Sequence, residues 1–283
     1  MRADFAAARD FVVREGRVLE RRLFARLFDG ADPHGVVDAV RGYRNPDGGF
    51  GHGLEPDKRC PDSQPLDVQI ALETMDAAGD VDRTLALGAC DFLESVADER
   101  GAVPPVLPSI AAYPRAEHWG DGDFPPGLNP TAGIAALLHK HRVEHPWRER
   151  ATRFCLEEIE RSPPEEAHTI RVALLFVEHV SAAESLVEPL VERLPTASYF
   201  RADPHDPGYG LTPLDFAPRP DSRWRSLFAD DDVDGHLDRL ERDQADDGGW
   251  PLTWTPPSEA SSLEWRAIQT ILAIRVLRAY GRL

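Results

Sequence analysis

The chain has 283 residues, with 32 basic and 49 acidic side chains and a formal net charge of −17. This balance, without a basic stripe, argues against nucleic-acid binding, because phosphate contacts need clustered lysine and arginine. No apolar run approaches the roughly 18 residues of a membrane-spanning helix. Cys60, Cys90 and Cys155 are too widely spaced for a disulfide framework. They fit a reducing compartment, so we expect a cytoplasmic protein.

Apolar residues recur at helical spacing through most of the chain, which predicts an all-α fold. The predicted helices are residues 16–28, 36–43, 66–78, 81–96, 131–140, 147–159, 165–180, 185–194, 233–244 and 262–280. Prolines crowd into residues 104–130 and 195–220, together with several aromatic residues. We predict that both segments are long ordered loops, because loops of this length usually cover something or carry function.

One short segment occurs twice and organises the chain. The sequence N-P-D-G-G-F at residues 45–50 recurs as A-D-D-G-G-W at residues 245–250, so Asp47 and Asp247 are 200 residues apart. Between the two copies, three helix endings resemble the one before each copy, but more weakly. They divide the distance into four steps of about 50 residues, which suits one helical hairpin per step. In a ring of such hairpins the inner helices begin at the same end. The loops before them would then form a rim over a central cavity.

The second copy, Q-A-D-D-G-G-W at residues 244–250, resembles the Q-x-x-D-G-G-W repeat of triterpene cyclases and protein prenyltransferase β-subunits. The first copy is imperfect, with Arg44 in place of Gln and Phe50 in place of Trp. This resemblance implies an α/α toroid of five to six helical hairpins with long proline-rich loops. We therefore expect residues 1–283 to form a single domain. Residues 45–65 and 248–266 also resemble uncharacterised bacterial single-domain proteins.

The resemblance does not extend to the catalytic signatures of these families. The chain has no D-x-D-D motif, the proton donor of class II terpene cyclases, and no D-x-C pair at the spacing of the prenyltransferase zinc site. Residues 230–234 match D-D-x-x-D, a magnesium–diphosphate pattern, but in a chain this rich in aspartate we favour an acidic N-cap cluster that opens the following helix. His52, Asp57 and Cys60 could hold zinc, although an isolated cysteine is usually inert. We predict no metal or other cofactor, with magnesium and zinc as alternatives.

The strongest candidate site is the loop of residues 51–65, which three prolines stiffen between two predicted helices. Glu55 and Asp57 could act as an acid and a base with separated pKa values. His52 could shuttle protons near neutral pH. Alternatively, Glu55 and Asp57 pair with Lys58 or Arg59, and the loop is structural. We predict that Glu55, Asp57 and His52 are catalytic.

Further residues are predicted to bind substrate because they lie in the same loop, in its repeat partner or in the first proline-rich loop. They are Asp62, Gln64, Trp119, Trp254, Glu264, Trp265 and Arg266. A wall of tryptophans would stabilise a carbocation or stack on a sugar ring. The alternative is that these aromatic side chains pack between hairpins as part of the core.

These patterns favour an enzyme of terpene-cyclase or prenyltransferase-like ancestry that performs acid–base chemistry on a small molecule in an aromatic-lined cavity. A carbohydrate-active lyase or hydrolase is the first alternative, since α/α toroids also serve that chemistry. A non-catalytic scaffold or ligand-binding module is the second, because a fold does not determine function. In each case we expect a small-molecule ligand and no nucleic acid or membrane span, and the oligomeric state stays open.

Overall fold

The structure is a computed structural model that describes residues 3–283. Within this range the chain forms twelve α-helices and no β-sheet, so the all-α prediction is confirmed. The helices are α1 (Phe5–Glu15), α2 (Val18–Phe28), α3 (His34–Arg41), α4 (Pro65–Ala78), α5 (Arg83–Val96), α6 (Leu128–Lys140), α7 (Pro146–Arg161), α8 (Ala167–His179), α9 (Val187–Arg193), α10 (Pro213–Phe216), α11 (Asp230–Arg242) and α12 (Glu259–Ala279). Every predicted helix has a counterpart among them.

Two helices were not predicted: α1, and the four-residue α10, which lies in the segment of residues 195–220 predicted to be a loop. The buried apolar stripe of α1 is only Ala8, Phe11 and Val12. Helix α11 begins at Asp230 rather than at residue 233, so the acidic run lies in its first turn instead of before it. Carboxylates are favourable there because they face the positive end of the helix dipole.

Five of the even-numbered helices pack against one another in chain order. Helix α12 contacts α2, α2 contacts α4, α4 contacts α6, and α6 contacts α8, whereas α10 packs against α11. Helix α3 packs against α2 and α4, α7 packs against α6, and α1 packs against both α2 and α12. The first and last helices of the chain are therefore in contact.

The two copies of the repeated loop have the same backbone geometry. In each copy the N–H of the first residue donates to the carbonyl of the second glycine, and the N–H of the first glycine donates to the carbonyl of the first residue. The aspartate carboxylate accepts a hydrogen bond from the second glycine, at 2.9 Å for Asp47 and 3.1 Å for Asp247. The sequence repeat is therefore also a structural repeat.

Each repeated loop lies directly on the helix that follows its hairpin. A Cβ atom at Gly48 would lie 2.3 Å from the carbonyl oxygen of Gly88 in α5, and one at Gly248 would lie 2.2 Å from that of Ala7 in α1. Both glycines also have a positive φ, 91° and 94°. Helix α1 thus has the same relation to α12 as α5 has to α4, so the hairpin order continues across the two ends of the chain.

We expect Gly48→Ala and Gly248→Ala each to lower the free energy of unfolding by more than about 2 kcal/mol, because the new methyl group meets a helix carbonyl and the positive φ is strained. Urea denaturation measures this loss. Gly30→Ala is the matched control, since Gly30 has a φ of 73° but no atom within 4 Å of the added carbon. Equal losses in all three variants would show that the close approach to the helices contributes nothing.

Candidate functional site

A buried lysine holds the candidate loop in place. Lys58 Nζ lies 3.0 Å from Glu55 Oε2 and 3.1 Å from Asp67 Oδ1, and all three side chains are almost fully buried. Asp67 Oδ1 also accepts the backbone N–H of Glu55 at 2.7 Å. Burial alone would lower the pKa of Lys58, but the charges of Asp67 and Glu55 outweigh it and raise that pKa. Glu55, predicted to be catalytic, is an ion-pair partner in this structure.

Asp57 lies next to this cluster but outside its hydrogen bonds. The residue is 4 % exposed, and its Oδ2 atom accepts the indole N–H of Trp254 at 3.1 Å. The Nε2 atom of His118, a solvent-exposed side chain, is 3.9 Å from the same oxygen. Asp57 is thus a nearly buried carboxyl that has no cation directly bound to it.

This environment raises the pKa of Asp57 from 3.8 to about 7. Burial is the main cause and the charge of Glu55 is the second, while the neighbouring Trp265, Trp254 and Lys58 act in the opposite direction. The indole N–H of Trp265 is close enough to the Asp57 carboxyl to lower its pKa, although the pair does not reach the geometry of a full hydrogen bond among residues 3–283. At neutral pH the Asp57 carboxyl is therefore present in both protonation states.

Five aromatic side chains form a continuous surface beside Asp57, which we call the aromatic rim. Its ring contacts are edge-to-face between Trp254 and Trp265 at 5.3 Å, between Trp254 and Tyr209 at 5.8 Å, and between Tyr199 and Tyr209 at 5.8 Å. His168 stacks on Tyr209 at 5.7 Å. Tyr199 and Tyr209 are 49 % and 40 % exposed, so the rim is open to solvent on that side.

The residues of this site come from the segments that precede the even-numbered helices. Asp57 precedes α4, His118 precedes α6, Tyr209 precedes α10 and Trp254 precedes α12, while His168 lies in the first turn of α8. The site is therefore assembled from five segments that are distant along the chain rather than from one loop.

Two residues of the candidate loop, His52 and Gln64, form hydrogen bonds with partners other than Asp57. His52 is exposed and its Nε2 atom is 2.9 Å from Asn45 Oδ1, in the repeated loop. Gln64 is buried, accepts the backbone N–H of Leu107 at 2.7 Å, and donates to Ser109 Oγ at 3.0 Å. These contacts give Gln64 the role of fastening the candidate loop to the first proline-rich loop.

Trp119 and Glu264 border the site. The Trp119 ring centre is 6.0 Å from the Lys58 ammonium group. Glu264 accepts a 2.8 Å hydrogen bond from Arg59 and lies 3.9 Å from Arg17. Glu264 thus ties the start of α12 to the loop before α4.

Asp62 and Arg266 belong to other surfaces. Asp62 is exposed and lines a groove of about 510 Å³ beside the first repeated loop, which does not include Asp57. Arg266 binds both carboxylate oxygens of Asp247, at 2.6 and 2.8 Å, and therefore stabilises the second repeated loop. Neither side chain contacts the aromatic rim.

The acidic and cysteine patterns considered as metal sites have other partners. Asp230 pairs with Arg225, and Asp234 pairs with Arg282. Cys60 is buried with its Sγ atom 3.8 Å from the hydroxyl of a serine. Within residues 3–283, no three His, Cys, Asp or Glu side chains are grouped as a metal ion requires.

Sequence reasoning missed several residues that contact Asp57, its ion cluster or the aromatic rim. They are Asp67, His118, Glu166, His168 and Tyr209. Pairing of Glu55 with Lys58 was the structural alternative, but the third member of the cluster, Asp67 on the buried face of α4, was not foreseen. His168 and Tyr209 are 41 residues apart and no motif links them. The hairpin period could have pointed to them, because both lie near the start of an even-numbered helix.

A crystal structure of a protein from Actinoplanes is similar to this chain along its whole length. The TM-score is 0.60, the sequence identity is 14 %, and the match covers 98 % of each chain. At this identity the likeness concerns the fold alone. No protein-family profile and no curated protein sequence matches the chain. Among residues 3–283, none of the helices is both long and apolar enough to cross a bilayer.

We expect Lys58→Met to lower the free energy of unfolding at pH 7 by about 3–5 kcal/mol, because it leaves two carboxylates buried without their cation. Chemical denaturation measures the change. The triple variant Lys58→Met, Glu55→Gln, Asp67→Asn should recover part of the loss, since it removes the unpaired charges. No recovery would mean that packing of the lysine stem, rather than charge balance, holds the loop.

We expect Asp57→Asn to stabilise the protein at high pH. Because the pKa of Asp57 is about 7 in the folded chain and 3.8 as its ordinary value, the wild type loses stability as pH rises from about 4 to about 7. The asparagine variant lacks this loss, so it should be more stable at pH 8 by up to about 4 kcal/mol and show little gain at pH 4. Denaturation at several pH values measures the difference.

Asp62→Asn, a change at an exposed carboxyl of the same loop, is the control for the lost charge. A gain for Asp57→Asn that does not vary between pH 4 and pH 8 would contradict the raised pKa.

Proposed function

We propose that this protein is an enzyme that moves protons on a small molecule, with Asp57 as the proton donor and the aromatic rim as the substrate surface. The observation that carries the proposal is a nearly buried carboxyl with a pKa of about 7 beside an exposed set of aromatic rings. A general acid is most effective when its pKa is close to the working pH. Perturbed pKa values of this kind cluster at functional sites.

The ion cluster supports this role because it occupies Glu55 and Asp67 with a structural contact and leaves Asp57 outside it. Glu55 and Asp67 both bind Lys58, and together they fix the backbone on either side of Asp57. Asp57 is left with the neutral indole of Trp254 as its donor. Of the three carboxyls only Asp57 has no hydrogen bond to Lys58, and a carboxyl on a rigid loop is better placed for catalysis than a mobile one.

The chemistry of the rim indicates the substrate. Faces of tryptophan and tyrosine attract positive charge, so they would stabilise a cationic transition state formed when Asp57 donates its proton. The indole N–H of Trp119 is buried without a hydrogen-bond partner among residues 3–283, and a substrate oxygen would satisfy it. A molecule with an apolar body and an oxygen function fits these features, as an isoprenoid does. Proton transfer of this kind requires no cofactor.

A carbohydrate substrate is the second candidate, because Tyr199 and Tyr209 are exposed enough to stack on a sugar ring. We further propose that the hairpins form an α/α toroid related to those of terpene cyclases and prenyltransferases. The contacts of α12 with α2 and of α1 with α12 support this closure. So does the equivalent position of the two repeated loops on α5 and α1.

The test is turnover of two substrate sets, linear isoprenoids that carry oxygen, such as geranylgeraniol and oxidosqualene, and neutral and acidic oligosaccharides. We expect an isomeric product from the isoprenoid set, detected by gas chromatography and mass spectrometry. The rate should fall above about pH 7, where Asp57 loses its proton, and Asp57→Asn should reduce it by at least about 100-fold.

Asp62→Asn serves as the matched control and should retain wild-type activity. Cleavage of oligosaccharides would support the carbohydrate alternative instead. Full activity in Asp57→Asn would exclude the proposed proton donor, and absence of turnover with both sets would favour a non-catalytic binding protein.

A further inference from the structure

A second set of proton-active groups adjoins Trp254, the residue whose indole N–H binds Asp57. The Tyr209 hydroxyl is 3.0 Å from His168 Nε2, and His168 Nδ1 forms a hydrogen bond with Glu166 Oε1. The Tyr209 ring packs edge-to-face on Trp254. Asp57 and the Tyr209 ring therefore contact the same indole side chain.

Glu166 is fixed by more than its bond to the imidazole. Its carboxylate accepts the backbone N–H groups of His168 and Thr169 at 3.0 and 2.9 Å, as well as the Thr169 hydroxyl. Burial opposes ionisation of Glu166, but the hydrogen bonds and charge of His168, together with the bond from Thr169, lower its pKa to about 2. The group is thus an ionised acceptor at the start of α8.

This anion determines which imidazole nitrogen carries the proton. A carboxylate can only accept, so His168 Nδ1 must be the donor to Glu166. In the neutral ring Nε2 then holds the lone pair and accepts the hydroxyl proton of Tyr209. The order of groups is that of a catalytic triad, with a tyrosine hydroxyl in the place of serine.

We propose that Tyr209 and His168, oriented by Glu166, form the proton-accepting group of this site, as the counterpart of the proton donor Asp57. The inference rests on the proposed function, which it deepens by assigning a base to the acid. Burial raises the pKa of Tyr209 to about 12, so a free tyrosinate does not form near neutral pH. The tyrosine can accept a substrate proton only as its own proton passes to His168.

The proton balance then closes without an oxidant or co-reactant. The O–H bond of Asp57 breaks as a new bond to hydrogen forms on the substrate. A second substrate–hydrogen bond breaks, its proton goes to the Tyr209 oxygen, and the tyrosine proton moves to His168 Nε2. The resulting imidazolium is neutralised by Glu166. The product has the composition of the substrate, so the reaction class is an isomerisation or a cyclisation. Solvent then returns the proton to Asp57 and removes the one on His168.

The first test needs no substrate and uses N-acetylimidazole, which acetylates tyrosine hydroxyl groups. Tyr199 is the matched control within the same protein, since it is 49 % exposed against 40 % for Tyr209 and its hydroxyl forms no hydrogen bond with residues 3–283. We expect Tyr209 to be acetylated about tenfold faster than Tyr199, because His168 removes its proton during attack. Peptide mass spectrometry measures both rates. In His168→Gln the advantage should disappear while the Tyr199 rate stays the same.

Equal or slower acetylation of Tyr209, or an advantage that persists in His168→Gln, would overturn the base assignment. Faster acetylation of both tyrosines in His168→Gln would indicate loss of fold. In that case Glu166→Gln, which keeps a hydrogen-bond acceptor at the start of α8, is used in place of His168→Gln. This result is independent of the turnover screen, so failure of the proposed function and failure of the base assignment can be distinguished.

The second test uses the substrate identified by the turnover screen. Tyr209→Phe should lower kcat by about 100-fold or more with little change in KM, because the lost contact acts in the transition state. The pKa of Asp57, measured by carboxyl ¹³C NMR, should stay at about 7. An unchanged kcat would exclude Tyr209 from the reaction, and a shifted Asp57 pKa would mean that the tyrosine acts only through the acid.

Discussion

The ion cluster in which Lys58 binds Glu55 and Asp67 is the constraint on which the site depends. A buried ammonium group is stable only because two carboxylates offset its desolvation, and these carboxylates come from the loop and from the first turn of α4. The cluster carries more negative than positive charge, and this excess contributes to the raised pKa of Asp57. The same interaction therefore orders the loop and adds to the effect of burial, which holds the neighbouring Asp57 partly protonated at neutral pH.

The two repeated loops have a structural role, whereas the sequence had suggested that residues near them bind substrate. Asp47 and Asp247 close their own turns, and Arg266 binds Asp247 rather than a ligand. The glycines allow the turns to rest on α5 and α1. The conspicuous motif thus fixes the spacing of hairpins, and the proton-active groups lie in less conspicuous segments at the starts of the even-numbered helices.

Sequence reasoning reached the helices because apolar spacing is a local property, and it reached the correct loop because carboxylates and prolines are concentrated there. It missed α1, whose apolar stripe is short, and α10, which has only four residues. It could not assign Glu55 and Asp57 to different roles, since this depends on which carboxyl binds Lys58 after folding. The partnership of Tyr209 with His168 was also hidden, because it arises from packing between hairpins that are distant along the chain.

The contact between the two ends of the chain has a consequence for biosynthesis. The backbone N–H of Asp4 donates to the side chain of Gln244, 240 residues later, and α1 packs against α12. Contacts of such sequence separation carry a large entropic cost and form late. During synthesis α1 can pack against α2 early, but its contact with α12 forms only after the residues between the two helices have been translated. Its apolar stripe of three residues is small enough to be exposed during that interval with little tendency to aggregate.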